Sequence, residues 1–205
     1  MIILHTSEVH RLTALSFCLK MSVRRILRAD FHLALESIIE DLPGITSLFD
    51  SQKAVLKDLL NGDNVFLTLP TNSGKSLPPL ILPRMCRELI KLGYSFPHKT
   101  RVLFVTALNS LQYSMIANAK DLGIRCTAIT NVNIEDVMQS DVDVLFIGPE
   151  ILKLTSVTKT LLRHRAEFIC KVVDEAHLGT LNVKCEGIQE LSASTFIAGS
   201  VNMIS

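Results

Sequence analysis

The stretch Leu67-Thr68-Leu69-Pro70-Thr71-Asn72-Ser73-Gly74-Lys75-Ser76 constrains this chain more than any other. An apolar run of strand composition, Val65-Phe66-Leu67-Thr68-Leu69, enters a polar turn ending in Gly-Lys-Ser, and a long apolar-periodic segment follows. Strand, loop, helix is the order a phosphate-binding loop requires. Successive backbone N–H groups, together with the positive end of the helix, form a nest for a polyphosphate. Pro70, Thr71, Asn72 and Ser73 lead into it, and Gly74 lets the backbone approach with no Cβ in the way. Lys75 supplies a point charge for the β- and γ-phosphates, and the Ser76 hydroxyl a ligand for Mg²⁺. Leu69 stands where the general pattern has its first glycine. A Ser/Gly turn before a helix that carries a lysine is therefore the competing reading.

The second anchor is Val172-Val173-Asp174-Glu175-Ala176-His177. An apolar strand that delivers two carboxylates at its end is the partner a phosphate loop needs. Asp174 is suited to hold Mg²⁺ directly or through water, and Glu175 to orient and polarise an attacking water. His177 is suited to pass the nucleotide state to a neighbouring element through a switchable hydrogen bond. The combination carries the expectation, since a surface Asp-Glu at a strand end is common.

Bulk properties exclude more than they assign. At 205 residues, 48% apolar, with mean hydropathy +0.34, the chain has ample core for one large domain. No apolar run approaches the ~18 residues that span a bilayer; the excess fits strands buried on both faces. A net charge of +1 leaves any nucleic-acid contact to local groups. The five cysteines (Cys18, Cys86, Cys126, Cys170, Cys185) form no CxxC pair and read as reduced, intracellular and without a zinc site. Residues 1–30 read as a leader or helix. Their basic cluster, Arg24-Arg25-Ile26-Leu27-Arg28, is either a solvated helix face or a nucleic-acid or membrane contact.

Periodicity then predicts a helix through Phe31, Leu35, Ile38, Ile39 and Leu42, stopped by Pro43-Gly44. A second runs from Ser51 to about Leu60, capped by Asp50 or Ser51. Gln52 heads it, and a glutamine amide can read the two-sided edge of adenine. The helix after the phosphate loop is expected to begin near Lys75, with its first turns made irregular by Pro78, Pro79 and Pro83. Strands are expected at Arg101–Thr106, Cys126–Thr130, Val144–Ile147 and Phe168–Val173, alternating with helices from Leu108, from Ile134 and around Thr158–Arg165. Such alternation predicts an α/β fold, a parallel sheet with helices on both faces and ligands at the carboxyl ends of its strands.

On these motifs the chain resembles the first RecA-like domain of a superfamily 2 helicase, and is most similar to the RecQ family. Pro70-Thr71-Asn72-Ser73-Gly74-Lys75-Ser76-Leu77 is similar to that family's nucleotide loop, and Leu48-Phe49-Asp50-Ser51-Gln52 to its adenine-reading motif. Asp174-Glu175-Ala176-His177 matches its DEAH box. Thr106-Ala107-Leu108-Asn109-Ser110-Leu111 and Gly148-Pro149-Glu150 fall where the family contacts the DNA strand. The resemblance covers roughly Phe31 to His177. It implies a P-loop ATP-binding domain over residues 31–180, ATP and Mg²⁺ as ligands, and hydrolysis coupled to duplex unwinding. By the same implication Lys75, Asp174, Glu175 and His177 are catalytic, and Gln52 with residues 70–76 holds the nucleotide. Single-stranded or duplex DNA would meet Leu108, Asn109, Ser110, Pro149 and Glu150, in the nucleus or cytoplasm.

The departures from the family carry their own expectations. Asn72 replaces a loop glycine, and asparagine tolerates left-handed backbone better than most residues. Leu178-Gly179-Thr180-Leu181 follows His177 where the family has an aromatic-rich coupling loop. Ser192-Ala193-Ser194 arrives early for the Ser/Thr-Ala-Thr motif, and residues 181–205 read as a divergent tail. A second RecA-like domain with its arginine finger is not recognised. Two readings stay open: a helicase motor domain, or a nucleotide-binding regulatory fragment with turnover near background.

Overall fold

The computed structural model describes residues 25–69, 73–106, 109–173 and 194–200. Six parallel strands form one sheet, in the order β1-β6-β5-β2-β4-β3. They are β1 (Val65–Leu69), β2 (Arg101–Val105), β3 (Cys126–Ala128), β4 (Val144–Ile147), β5 (Phe168–Val173) and β6 (Ser194–Ser200). The helices are α1 (Arg28–Glu40), α2 (Asp50–Leu60), α3 (Leu77–Lys91), α4 (Asn109–Asp121), α5 (Ile134–Gln139), α6 (Pro149–Leu152) and α7 (Thr155–Arg163).

The central strands explain the apolar excess. Every residue of β2 and β4 is buried, because helices cover both faces of the sheet. Val102, Phe104, Val144 and Phe146 pack with α1, α2, α3 and α4, while Leu103, Val105, Leu145 and Ile147 pack with α5, α6 and α7. Phe104 and Phe146 are register partners whose ring centroids lie 5.0 Å apart. Among the described residues no helix is long and apolar enough to cross a membrane.

Most expected elements form within a residue or two of their predicted limits. α3 differs: it begins at Leu77, and it is continuous rather than irregular. Pro78 and Pro79 fall in its first turn, where N–H groups have no intrahelical partner to lose. Pro83 lies inside the helix and removes one interior bond without breaking it. Gly93, at φ +89°, then ends the helix, with the Tyr94 N–H donating back to the Leu89 carbonyl at 3.0 Å. α6 was not expected. The larger difference is β6, which comes from the stretch expected as a tail and lies in the sheet between β1 and β5. Its apolar run, Phe196-Ile197-Ala198, is short, and three residues have too little periodicity to announce a strand.

At the amino ends of the strands the chain folds around an ion-pair network. Asp143, just ahead of β4, accepts from Arg87 of α3 at 2.7 and 3.0 Å and from Arg125, just ahead of β3, at 2.8 and 3.1 Å. Burial pushes the Asp143 carboxyl upward, but the two guanidinium groups outweigh it and hold the acid below its usual range. Arg101 opens β2 fully buried. It donates to the Met138 and Ser140 carbonyls and faces Glu167 at 3.3 Å.

Candidate functional site

At the opposite end, β1 runs out into the loop, and the turn Ser73–Ser76 leads directly into α3. Gly74 sits at φ +69°, a left-handed conformation that side chains resist. Its carbonyl accepts the Leu77 N–H at 3.2 Å, closing the turn. Ser76 is the N-cap of α3, and its carbonyl receives the Leu80 N–H at 3.1 Å. Its hydroxyl makes no capping bond, which leaves it for a ligand. Lys75 is half-buried beside it. Pro70, Thr71 and Asn72 lie outside the described residues.

Gln52 is tied into this turn. The N-cap of α2 is Phe49 rather than the expected Asp50 or Ser51, and phenylalanine has no group with which to cap. Gln52, three residues on, supplies the other half of a capping box: its Oε1 accepts the Phe49 N–H at 3.0 Å. Its Nε2 donates to the Gly74 carbonyl at 3.0 Å, across 22 residues of chain. The side chain is buried. A Cβ at Gly74 would stand 2.7 Å from Gln52 Nε2, so glycine is required both by the backbone angle and by the glutamine. An amide has two N–H groups and two lone pairs on its oxygen. One of each holds the protein backbone, so adenine reading would use the other pair.

The carboxyl ends of β2 and β4 lie on the same side of the sheet as the loop, beyond β6 and β5. Because β2 and β4 are neighbours, the residues after them come together, and the Thr106 N–H donates to the Ile147 carbonyl at 3.1 Å. Ser110 is exposed in the first turn of α4, and Glu150 is exposed and Pro149 half-buried in α6. Asn109 is the first residue of α4; Leu108 lies outside the described residues. Thr106 holds a hydroxyl that sequence reasoning passed over. It is buried, and its Oγ1 has no hydrogen-bond partner among the described residues. A buried hydroxyl left unpaired costs about 1–3 kcal/mol, so it marks a place where a ligand or water belongs. The sequence signal was present: a threonine directly after the apolar run Val102-Leu103-Phe104-Val105.

β5 points its carboxyl end at the same region, and Val173 pairs with Val105. Asp174, Glu175 and His177 follow it outside the described residues. Lys171, three residues earlier, is buried, and burial pulls its ammonium from 10.5 down to about 8. Among the described residues no cluster of His, Cys, Asp or Glu could itself hold a metal. The Ser76 hydroxyl is the one expected Mg²⁺ ligand they contain, and an oxygen donor suits that hard cation.

The helicase model described as DEAD/DEAH box matches residues 49–195, from the N-cap of α2 into β6. No curated protein matches the chain. Among solved structures, the chain is similar in fold to the Sulfolobus solfataricus SWI2/SNF2 ATPase core in complex with dsDNA. The TM-score is 0.55 and the identity 14%, over 77% of this chain and 33% of that one. The chain thus spans about a third of that neighbour's length.

Proposed function

The chain belongs to the DEAD/DEAH box helicase family, and from that premise we propose that it is an ATP-binding, nucleic-acid-directed motor domain of RecQ-like type. The observation that carries the proposal is the strap from Gln52 to Gly74. It joins the residue suited to recognise the base to the turn suited to hold the phosphates, so that one ligand satisfies both.

In this reading the loop of residues 70–76 wraps the phosphates, and Lys75 offsets the charge of the β- and γ-oxygens. Ser76 and Asp174 would hold Mg²⁺, which when bound neutralises charge developing on the transferred phosphoryl group. Glu175 orients water in line with the γ-phosphate, and His177 passes the state of the site onward. Leu108, Asn109, Ser110, Pro149 and Glu150 lie along the nucleic-acid strand. Thr106, whose buried hydroxyl has no partner among the described residues, suits a bridging water. RecQ-type unwinding of DNA and nuclear placement are the finer parts of the proposal and rest on the motif resemblance.

Calorimetric titration with ATP and Mg²⁺ tests the core of it. The expected result is saturable binding that is lost in Lys75→Ala while the thermal midpoint holds. Equal affinity in the variant removes the phosphate-loop assignment. Phosphate release stimulated by single-stranded DNA and abolished in Glu175→Gln would establish turnover. Stimulation that survives Glu175→Gln would overturn the role given to that carboxylate.

A further inference from the structure

Arg25 and Arg28 of the N-terminal basic cluster are exposed, as a solvated face requires. Arg25 and Arg28 line a cavity of about 390 Å³ together with Lys57 and Asn61 from the far end of α2. Ile26 and Leu27 give it an apolar wall, and Leu27 is half exposed at 53%. Among the described residues no carboxylate lines it. Asp30, the acid of the first turn of α1, accepts a hydrogen bond from the Tyr94 hydroxyl at 2.7 Å. α1 starts here with Leu27 as its N-cap, a residue with no polar group to cap it. Two exposed arginines thus sit at the positive end of a helix whose first turn holds the single acid Asp30.

We propose that this cavity is a docking site for an acidic peptide segment of a partner protein, one with an aliphatic or aromatic side chain between carboxylates. The arginine forks suit bidentate carboxylate pairing, and Ile26 and Leu27 suit the apolar side chain. Residues 1–24 carry Arg11, Lys20 and Arg24 against the single acid Glu8, so that segment does not complement the charge of the site. A nucleic acid fits less well. Single strands bind by stacking bases on aromatic faces, and the one ring here, Phe31, is buried with the Lys57 ammonium 4.8 Å from its centroid. The site is also remote from the phosphate loop. α2 has Gln52 at one end and Asn61 at the other, and a helix of 11 residues is about 16 Å long.

The test uses the whole chain and a fluorescein-labelled peptide alternating Asp and Glu with Leu and Phe, read by anisotropy. Its controls are the same peptide with Asn and Gln for the acids, and oligothymidylate of similar length. The acidic peptide is expected to bind at least about tenfold more tightly than the amide peptide. The double variant Arg25→Glu, Arg28→Glu is expected to lose about as much, with its thermal midpoint and nucleotide affinity unchanged. Leu27→Asp, at an exposed position, repeats the loss by a separate route and serves if the double variant fails to fold. Equal binding of the two peptides, unchanged affinity in the variants, or tighter binding of oligothymidylate at this site overturns the proposal.

Discussion

The two poles of the sheet are built by opposite means. At the amino ends, charged side chains satisfy one another: Asp143 joins Arg87 and Arg125, and Arg101 opens β2 among carbonyls and Glu167. At the carboxyl ends, structure is held by backbone angles and one amide, through Gly74, the Ser76 cap and the Gln52 strap. Charge at the first pole is spent inside the protein. At the second, the Ser76 hydroxyl and the Thr106 hydroxyl are left for something else. A parallel sheet makes this division natural, because every strand presents the same end to the same side. One pole holds the fold, and the other is the one proposed to receive ligands.

If that division is real, substitutions at the two poles should move different measurements. The largest effect is expected from Lys75→Ala. Loss of a charge-assisted phosphate contact should weaken ATP binding by at least about 100-fold, or roughly 3 kcal/mol, by titration. The unfolding midpoint should hardly move. Asp143→Ala is the converse. It strands two arginines that are more than a third exposed, so water recovers part of the cost, and about 2 kcal/mol of urea stability should be lost. Nucleotide affinity should be unchanged. Because Asp143 is held below its ordinary 3.8, its contribution is present above that value and fades as pH falls through the folded one. The variant should therefore close on the parent protein in acid.

Gln52→Ala sharpens the contrast, since Gln52 serves both fold and ligand. Losing the helix cap and the strap should cost about 1–2 kcal/mol. Any preference for ATP over GTP should collapse with it, as competition titration would show. Equal binding of both nucleotides by the parent protein would reduce Gln52 to a structural strap. The smallest effect belongs to Lys171. Its folded value lies near 8 against 10.5 in the unfolded chain, so between those limits the unfolded chain binds more protons. Stability should then rise with pH, by about 1 kcal/mol between pH 7 and 9. Lys171→Met should flatten that rise and be the more stable protein at pH 7.

Much of this fold was legible because the signals are local. Gly93 and Gly123 end helices, and continuous apolar runs such as Val144–Ile147 announce strands buried on both faces. The loop residues could be named from their order along the chain alone. What could not be read was long-range. Nothing near Asp143 in sequence identifies Arg87, 56 residues away, as its partner. Gln52 carried an adenine expectation, while its bond to the Gly74 carbonyl depends on where α2 lands. The cap of α2 was misassigned because Asp50 and Ser51 are good caps by type, yet a glutamine at the third position reached the Phe49 N–H first. Arg25 and Arg28 read as solvated and are exposed, but the sequence does not show Lys57 arriving beside them.

The place of β6 bears on how the chain acquires this site during synthesis. In the described sheet β1 is an edge strand, and its neighbour is β6 rather than any strand made in between. Val65 pairs with Phe196, so 196 − 65 = 131 residues must be made before the strand carrying the phosphate loop finds its place. Contacts that distant are slow to close, and local ones form first. On a ribosome adding about 5–20 residues per second, β1 would wait several seconds or more after its own translation. The ligand-binding end would thus be among the last parts of the domain to settle, and nucleotide capture would report that folding had finished.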